Sequence, residues 1–426
     1  MSKLAIHGGN KVRSEPMPTR EAFGDLEVEK LNEVVNYYRE KKIDPPYSGV
    51  FEKKFCDEFV EFMGGEGYAD AVTSGTAAIY TSLQALNLPK GSEVLITAVT
   101  DCGPLNCIIQ LGLKPKIVDT AKNSYNSCVG NFLNEISKDT KCVIATHAAG
   151  ESVHDIDKLY EILKEKKIYL IEDCSQSPGA IWKKKKIGNF SDISAFSTMY
   201  RKTLHSGGNG GLVFTKNENL YKMLLASADK GKQVWRNDID LRNPNFALMP
   251  ALNFTTNDLS CAIGSASLSR LQSSIDARYN WTKNFSEKLT ETQTCYPYNL
   301  NSNFSVFFFP VFVRHELLTC SKKEFAEALL SEGIGLQPHY GCVISDWKWA
   351  EKYMDELKFA KNASEIRDNT FNLFVNEKYS DQEVYDIINA IIKVENFFLK
   401  KDYKKEDIST YRLDCCGYPS KCTMYT

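Results

Sequence analysis

Residues 169–215 read YLIEDCSQSPGAIWKKKKIGNFSDISAFSTMYRKTLHSGGNGGLVFT. Three short apolar runs stand out, YLIED, SAFST and GLVFT, each bounded by turn residues. That is the texture of strands covered on both faces. Between the first two, the basic block Lys183 to Lys186 sits beside Gly188 and reads as a solvated hairpin. Upstream, SEVLITAV, PKIVD and CVIATHA are three more strand candidates of the same kind. Helix-period segments such as AAIYTSLQALN and DIDKLYEILKEKK lie between several of them, so the expected class is α/β, a mainly parallel sheet sandwiched by helices.

The texture changes outside this block. Residues 1–50 are polar and broken by Pro16, Pro18, Pro45 and Pro46, an arm expected to pack on other parts of the chain and to join the smaller domain. Residues 51–265 form the expected large domain. From about 266 a long helix, SASLSRLQSSIDARYNWTKNFSEKL, leads into a strand-like run, FSVFFFPVFV. Ser321 with Glu324 and Ser380 with Glu383 are capping boxes that open two further helices, and Gly333 closes the first. Residues 266–400 therefore read as a smaller α+β domain, and 401–426 as a polar tail.

Bulk properties narrow the function classes. With 52 basic and 54 acidic residues the net charge is −2, which gives no reason to expect nucleic acid or an anionic membrane as partner. No run approaches the roughly 20 apolar residues of a membrane span. The start, MSKLAIHGGNKVRSEP, lacks the apolar core of a signal peptide. Thirteen irregularly spaced cysteines fit a reducing cytoplasm. Cys415, Cys416 and Cys422 lack the paired spacing of a zinc site, so no metal is expected.

Four segments fall where open α/β sheets hold ligands, at strand ends or just before helices. Ser74-Gly75-Thr76 opens a helix and offers free N–H groups, a hydroxyl and the positive end of the helix dipole, which suits a phosphate; an ordinary N-cap is the plain alternative. Asp173, after YLI, is a carboxylate at a buried strand end and needs a positive partner. A protonated pyridine nitrogen would serve, and the charge would make the ring an electron sink; otherwise Asp173 caps the next turn. Gln176 reaches either a ligand oxygen or the backbone. Lys202 lies between a strand end and a glycine-dense loop, a setting that lowers an amine's pKa and makes it nucleophilic, whereas most lysines are simply solvated. Ser197 is a candidate phosphate ligand. Asn253, ahead of NDLSCAIGSASL, says little alone.

Taken together these blocks resemble the DegT/DnrJ/EryC1/StrS family of sugar aminotransferases over about residues 3–395. LAIHGG is similar to the family's opening strand, YADAVTSGTAAIYTSLQAL to its phosphate segment, and LGLKPKIVD, HAAGESVHDID and IEDCSQSPGA to three further blocks. FSTMYRKTLHSGGNGGLV parallels the lysine segment, and ALNFTTNDLSCAIGSASLSRL the N-Y-R block. The resemblance implies fold type I of the pyridoxal-phosphate (PLP) enzymes, with a mainly parallel seven-stranded sheet and a smaller α+β C-terminal domain. It implies that Lys202 carries PLP as a Schiff base, Asp173 binds the pyridine nitrogen, and Gln176 lies near the ring hydroxyl. Gly75, Thr76 and Ser197 would hold the phosphate, and Asn253 would reach it from the neighbouring subunit of a homodimer with shared active sites. His339-Tyr340 falls on the edge that family members use for substrate; a packed pair is the alternative. His205, near Lys202, is expected to be a loop histidine without catalytic duty.

Transfer of an amino group from glutamate or glutamine to a nucleotide-linked keto sugar, in amino-sugar or surface-polysaccharide biosynthesis, is the implied activity. Some relatives have a histidine in place of the lysine and dehydrate the sugar instead; Lys202 favours transamination. Three departures bear on substrate. Asp101 stands where the family stacks an aromatic ring on PLP, Thr255 replaces the arginine of N-Y-R, and Asn209 the acidic residue of the glycine turn. They leave a dehydratase, or a non-catalytic PLP-binding protein, as rival readings.

Overall fold

The computed structural model describes residues 3–354 and 358–401, so Cys415, Cys416, Cys422 and nearly all of the polar tail lie outside the described residues. Thirteen strands are numbered in chain order: β1 Tyr68–Val72, β2 Glu93–Thr97, β3 Lys114–Val118, β4 Thr140–Thr146, β5 Tyr169–Asp173, β6 Ile181–Trp182, β7 Lys185–Lys186, β8 Ile193–Ser197, β9 Gly211–Thr215, β10 Cys295–Pro297, β11 Phe308–Val313, β12 Leu336–Gln337 and β13 Thr370–Phe374.

The large sheet has seven strands in the order β1-β9-β8-β5-β4-β2-β3. Its pairs are parallel from β8 through β3, while β9 runs antiparallel to both β8 and β1. Alternate residues enter opposite cores: Val94, Ile96, Ile144 and Ile171 pack in one, Leu95, Val143, Ala145 and Leu170 in the other. Both faces are thus dry, which is why these strands read as nearly unbroken apolar runs. Helices cover them with one stripe each; Ile156–Glu165 buries Ile156, Leu159 and Leu163. The lysine block forms the two-stranded hairpin of β6 and β7, with Lys183 and Lys184 both left-handed at φ 44° and 67°. Positive φ at both central residues matches the twist of a two-residue hairpin.

The second sheet, order β10-β11-β13-β12, is antiparallel. Both capping boxes form as the sequence indicates, Ser321 with Glu324 and Ser380 with Glu383. The N-terminal arm lies against this part of the chain. Glu332 accepts from the backbone N–H of Ala5 and Val12, and Arg13 pairs with Glu383 at 3.0 Å. A Cβ on Gly333 would meet Arg13 O at 2.1 Å, so this contact also excludes a side chain there.

Two sequence expectations need correction. The single helix read over 265–289 is two, Asp258–Ser269 and Leu271–Lys288, broken at Arg270 (φ −107°, ψ 5°). Arg270 turns to pair with Glu27 at 2.5 Å and donates to Glu21 O at 3.1 Å, contacts that helical periodicity does not reveal. The run FSVFFFPVFV becomes a sheet strand only from Phe308; residues before it follow the turn at Ala149-Gly150. Among the described residues, no helix is long and apolar enough to cross a membrane.

Candidate active site

The site gathers at the C-terminal ends of β2, β5 and β8. Asp173 ends β5 and is buried; its Oδ1 accepts from Ser175 N at 3.1 Å. Burial pushes its pKa up, while Ser175, the Lys202 amine and His147 pull it back. Lys202 is half-buried in the loop after β8. Burial lowers its pKa, opposed by Asp173, Asp101 and the thiol of Cys342. Each group is thus held away from its charged form by the dry setting and returned toward it by the other.

At one end of this pair, the helix Gly75–Ala85 begins against the end of β8. A Cβ on Gly75 would lie 2.6 Å from the Cβ of Ser197, so only glycine lets the two segments approach. Ser74 caps the helix by accepting from Ala77 N at 3.0 Å. Its first N–H groups have no carbonyl partner in their own helix, so those not taken by the Ser74 cap are free to donate to an anion. Gly103 brings in the next helix, Cys102–Gln110: a Cβ there would meet Thr76 Oγ1 at 2.6 Å and Asp101 Oδ1 at 3.3 Å. Asp101 caps that helix through Gly103 N at 2.9 Å. The residue at the expected stacking position is therefore a carboxylate facing Lys202.

Gln176 is locked from both sides. Its Oε1 accepts from Ala149 N at 2.9 Å, and its Nε2 donates to the hydroxyl of Tyr340 at 3.1 Å. Tyr340 is buried and packs edge-on against Tyr125, with ring centroids 5.4 Å apart. The adjacent His339 is exposed, and its pKa is lowered by burial of part of the ring and by Lys322 and Arg367. Two neighbours in sequence thus face different surroundings, and only Tyr340 joins the cluster. His205 lies in the loop after Lys202. It is buried, its Nε2 lacks a hydrogen-bond partner among the described residues, and burial with Arg20 and Arg270 lowers its pKa to about 4. Asn253 is exposed, its Oδ1 taken by Thr255 N at 3.1 Å and Thr255 Oγ1 at 2.7 Å. The structure does not bring its side chain to Lys202 within one chain.

Four contributors escaped sequence reading. The guanidinium of Arg20, from the N-terminal arm, donates to the carbonyls of Lys202 and Tyr200 and holds the lysine loop in place. Cys342 lies beside Lys202 because its segment bonds to the end of β2, Thr100 N to Cys342 O at 3.2 Å and Ile344 N to Ala98 O at 2.9 Å. Phe307 lies under the Lys202 amine. His147 receives a bond from Val153 N on Nδ1 at 2.9 Å, which leaves Nε2–H to donate to Glu172 at 3.1 Å. Glu172 also accepts from Gly188 N at 2.8 Å and Phe190 N at 2.9 Å, so this His–Glu pair braces the strand that carries Asp173. With Cys174 nearby the three could suggest a metal site, but the ligand atoms of His147 and Glu172 are already committed to these bonds. Arg20, Cys342 and Phe307 have no local motif, and Arg20 and Phe307 come from 182 and 105 residues away from Lys202 in the chain.

A mostly parallel sheet with a lysine and a buried carboxylate gathered at its strand ends, beside a helix N-terminus, defines an α/β enzyme of the fold-type-I architecture. A family model described as the DegT/DnrJ/EryC1/StrS aminotransferase family matches residues 25–392, and the chain belongs to that family. An uncharacterized protein of Methanocaldococcus jannaschii is 25% identical over 88% of this chain and 97% of its own length. GDP-perosamine synthase of Vibrio cholerae is 31% identical over 54% of this chain and 60% of its own length, so the match spans somewhat less than two thirds of that relative. The aminotransferase of Psychrobacter cryohalolentis superposes with a TM-score of 0.79 at 20% identity, covering 90% of this chain and 99% of that one. The E coli GDP-4-keto-6-deoxy-D-mannose-3-dehydratase, solved with hydrated PLP, also gives 0.79, at 23% identity, covering 88% and 98%. These two likenesses concern the fold.

Proposed function

We propose that this chain is a PLP-dependent aminotransferase that moves an amino group from glutamate or glutamine to a nucleotide-linked keto sugar, working as a homodimer. The observation that carries the reading is the electrostatic coupling of Lys202 to the buried Asp173 at the strand ends, beside a helix start that Gly75 brings against Ser197. The donor set fits PLP on its own terms. Asp173 is a buried acid, Gln176 is held rigid by Ala149 N and the Tyr340 hydroxyl, and Gly75, lacking a Cβ, brings the helix N-terminus against Ser197.

Bound there, PLP supplies an electron-poor ring that stabilises negative charge at the carbon next to the transferred nitrogen. Asp173 keeps the ring nitrogen protonated, because its own ionisation in a dry setting is sustained by that partner. Thr76, Ser197 and the helix N-terminus orient the phosphate end, fixing the distance to Lys202. The Lys202 amine, its pKa lowered by burial, would take the proton from the donor's α-carbon and return it at the cofactor carbon. His147 and Glu172 hold β5 so that Asp173 does not swing away, and Arg20 does the same for the loop that bears Lys202.

Relatives include a GDP-perosamine synthase and an L-glutamine:2-deoxy-scyllo-inosose aminotransferase, which supports a keto sugar or a related ring as acceptor. The test has two parts. Purified protein mixed with PLP and reduced with borohydride should carry a stable label on the Lys202 peptide. Nitrogen-15 glutamate or glutamine should then pass its label to a nucleotide keto sugar. A product that lacks nitrogen while the sugar loses a hydroxyl would overturn transamination in favour of dehydration. Protein that takes up PLP yet never exchanges nitrogen with any donor would overturn catalysis altogether.

A further inference from the structure

The amine of Lys202 rests over the face of Phe307, 4.6 Å from the ring centroid. Phe307 reaches that place because residues 303–307 are bonded to the large-sheet side of the molecule at four points. Ile181 N donates to Asn303 O at 2.9 Å, Ser305 N to Gly150 O at 2.9 Å, Ser305 Oγ to Pro178 O at 2.7 Å, and Phe307 N to Ala149 O at 3.2 Å. The approach is tight enough that a Cβ on Gly150 would lie 2.1 Å from Ser305 O, and Gly150 has φ +97°. Ala149 beside it is also left-handed, at φ 62°. A turn that accepts both conditions exists in the fold to hold this segment, and the same turn fixes Gln176 through Ala149 N.

Resting on the reading of Lys202 as the cofactor lysine, we propose that Phe307 is a positioning residue for the Lys202 amine. Its ring face holds the ammonium form whenever the amine is not engaged, and it offers no atom that could take the proton. Two carboxylates, Asp173 and Asp101, already draw on this amine. A third acid at position 307 would trap it as an ion pair, and an aliphatic side chain would leave it unheld. The ring quadrupole attracts a cation in this half-buried place and orients it, yet has no lone pair to bond it permanently. The ring also favours the charged amine, so its removal should make Lys202 easier to deprotonate.

The experiment follows Lys202 in the full chain freed of cofactor, by labelling with trinitrobenzenesulfonate across a pH series and quantifying the Lys202 peptide by mass spectrometry. Phe307→Leu should move the labelling curve to lower pH. In the PLP-loaded enzyme, kcat should fall roughly three- to tenfold with KM for the amino donor little changed. Phe307→Tyr, which keeps a ring face, should restore the parent curve and most of kcat. If Phe307→Leu melts early, Phe307→Met, whose unbranched chain adapts better to the gap, is read the same way. A labelling curve for the ring-less variant that coincides with the parent's would overturn the proposal, as would failure of Phe307→Tyr to restore it. If the shift is seen but borohydride leaves no PLP on Lys202, the cofactor reading fails and the hold of Phe307 on the amine stands.

Discussion

Two regions of the molecule carry residues of the same proposed site and are built in opposite ways. At the strand ends, Asp173, Gln176 and Ser197 are buried, and each is bonded or packed by groups of its own chain. In the loop before the helix Asp258–Ser269, Asn253 is exposed and its side chain is spent on Thr255. The first region is preorganised by folding alone. The second presents a side chain outward, where only a second molecule can use it. Rigid geometry should therefore give large, concentration-independent mutational effects, and the outward loop small ones that depend on assembly.

The largest effect is expected at Lys202. Lys202→Ala removes the group that carries protons between carbons and should lower kcat by about 100- to 10,000-fold, the span of positioned acid–base catalysis. Single-turnover formation of the aminated cofactor measures it directly. Asp173→Asn comes next. It keeps the hydrogen bond from Ser175 N but loses the charge that sustains a protonated ring, and kcat should fall roughly 100- to 1,000-fold, as for one preorganised electrostatic partner. If Asp173→Asn equalled the parent, the strand-end cluster would be a fold feature and no more.

Gly75→Ala tests the helix start against Ser197 without touching chemistry. The new Cβ, 2.6 Å from the Ser197 Cβ, must push the helix start from β8. Overpacking of this kind costs about 1–3 kcal/mol, so PLP affinity should drop by roughly ten- to a hundredfold with kcat at saturating cofactor altered less. Absorbance titration with PLP reads the change.

A pH effect on stability arises behind Gln176. Burial pushes Glu151 up to about 7, although Tyr298 OH at 2.6 Å and Asn126 hold it down. A carboxyl raised above its unfolded value binds more protons in the folded state, so its contribution to stability is present below the unfolded pKa and is lost as pH rises toward 7. Melting temperature should fall between about pH 5 and pH 7.5. Glu151→Gln should flatten part of that fall, and an unchanged slope would exclude this carboxyl as a source.

Much of the strand-end region is legible in the sequence, and the physics says why. Strands dry on both faces leave unbroken apolar runs, and a lysine beside clustered glycines or an acid at a strand end is conspicuous against them. The capping boxes at Ser321 and Ser380 are local and so survive in one dimension. β1 does not stand out as an apolar run, because Asp70 interrupts YADAV; the strand forms at the sheet edge by pairing with β9. Arg20, Cys342 and Phe307 join the site through contacts across more than a hundred residues, and periodicity carries no trace of those. The pair His339-Tyr340 shows the limit most plainly, since one motif contributes one residue to the cluster and sends the other to the surface.

The smallest effect, and the one that decides between the two regions, is at Asn253. Asn253→Ala removes an exposed side chain bonded only to its neighbour Thr255, so stability should change by no more than about 0.5 kcal/mol. If the outward loop serves a partner's site, PLP affinity should still weaken roughly three- to tenfold, the worth of one hydrogen bond. Mixing then separates the cases. Lys202→Ala chains keep Asn253 and Asn253→Ala chains keep Lys202, so in a mixed dimer one site receives both intact residues. Cofactor affinity of the Lys202-bearing chains should recover toward the parent value as Lys202→Ala chains are added and subunits exchange. Recovery that ignores subunit exchange, or no recovery at all, would place Asn253 outside the partner's site and leave the strand-end cluster sufficient by itself.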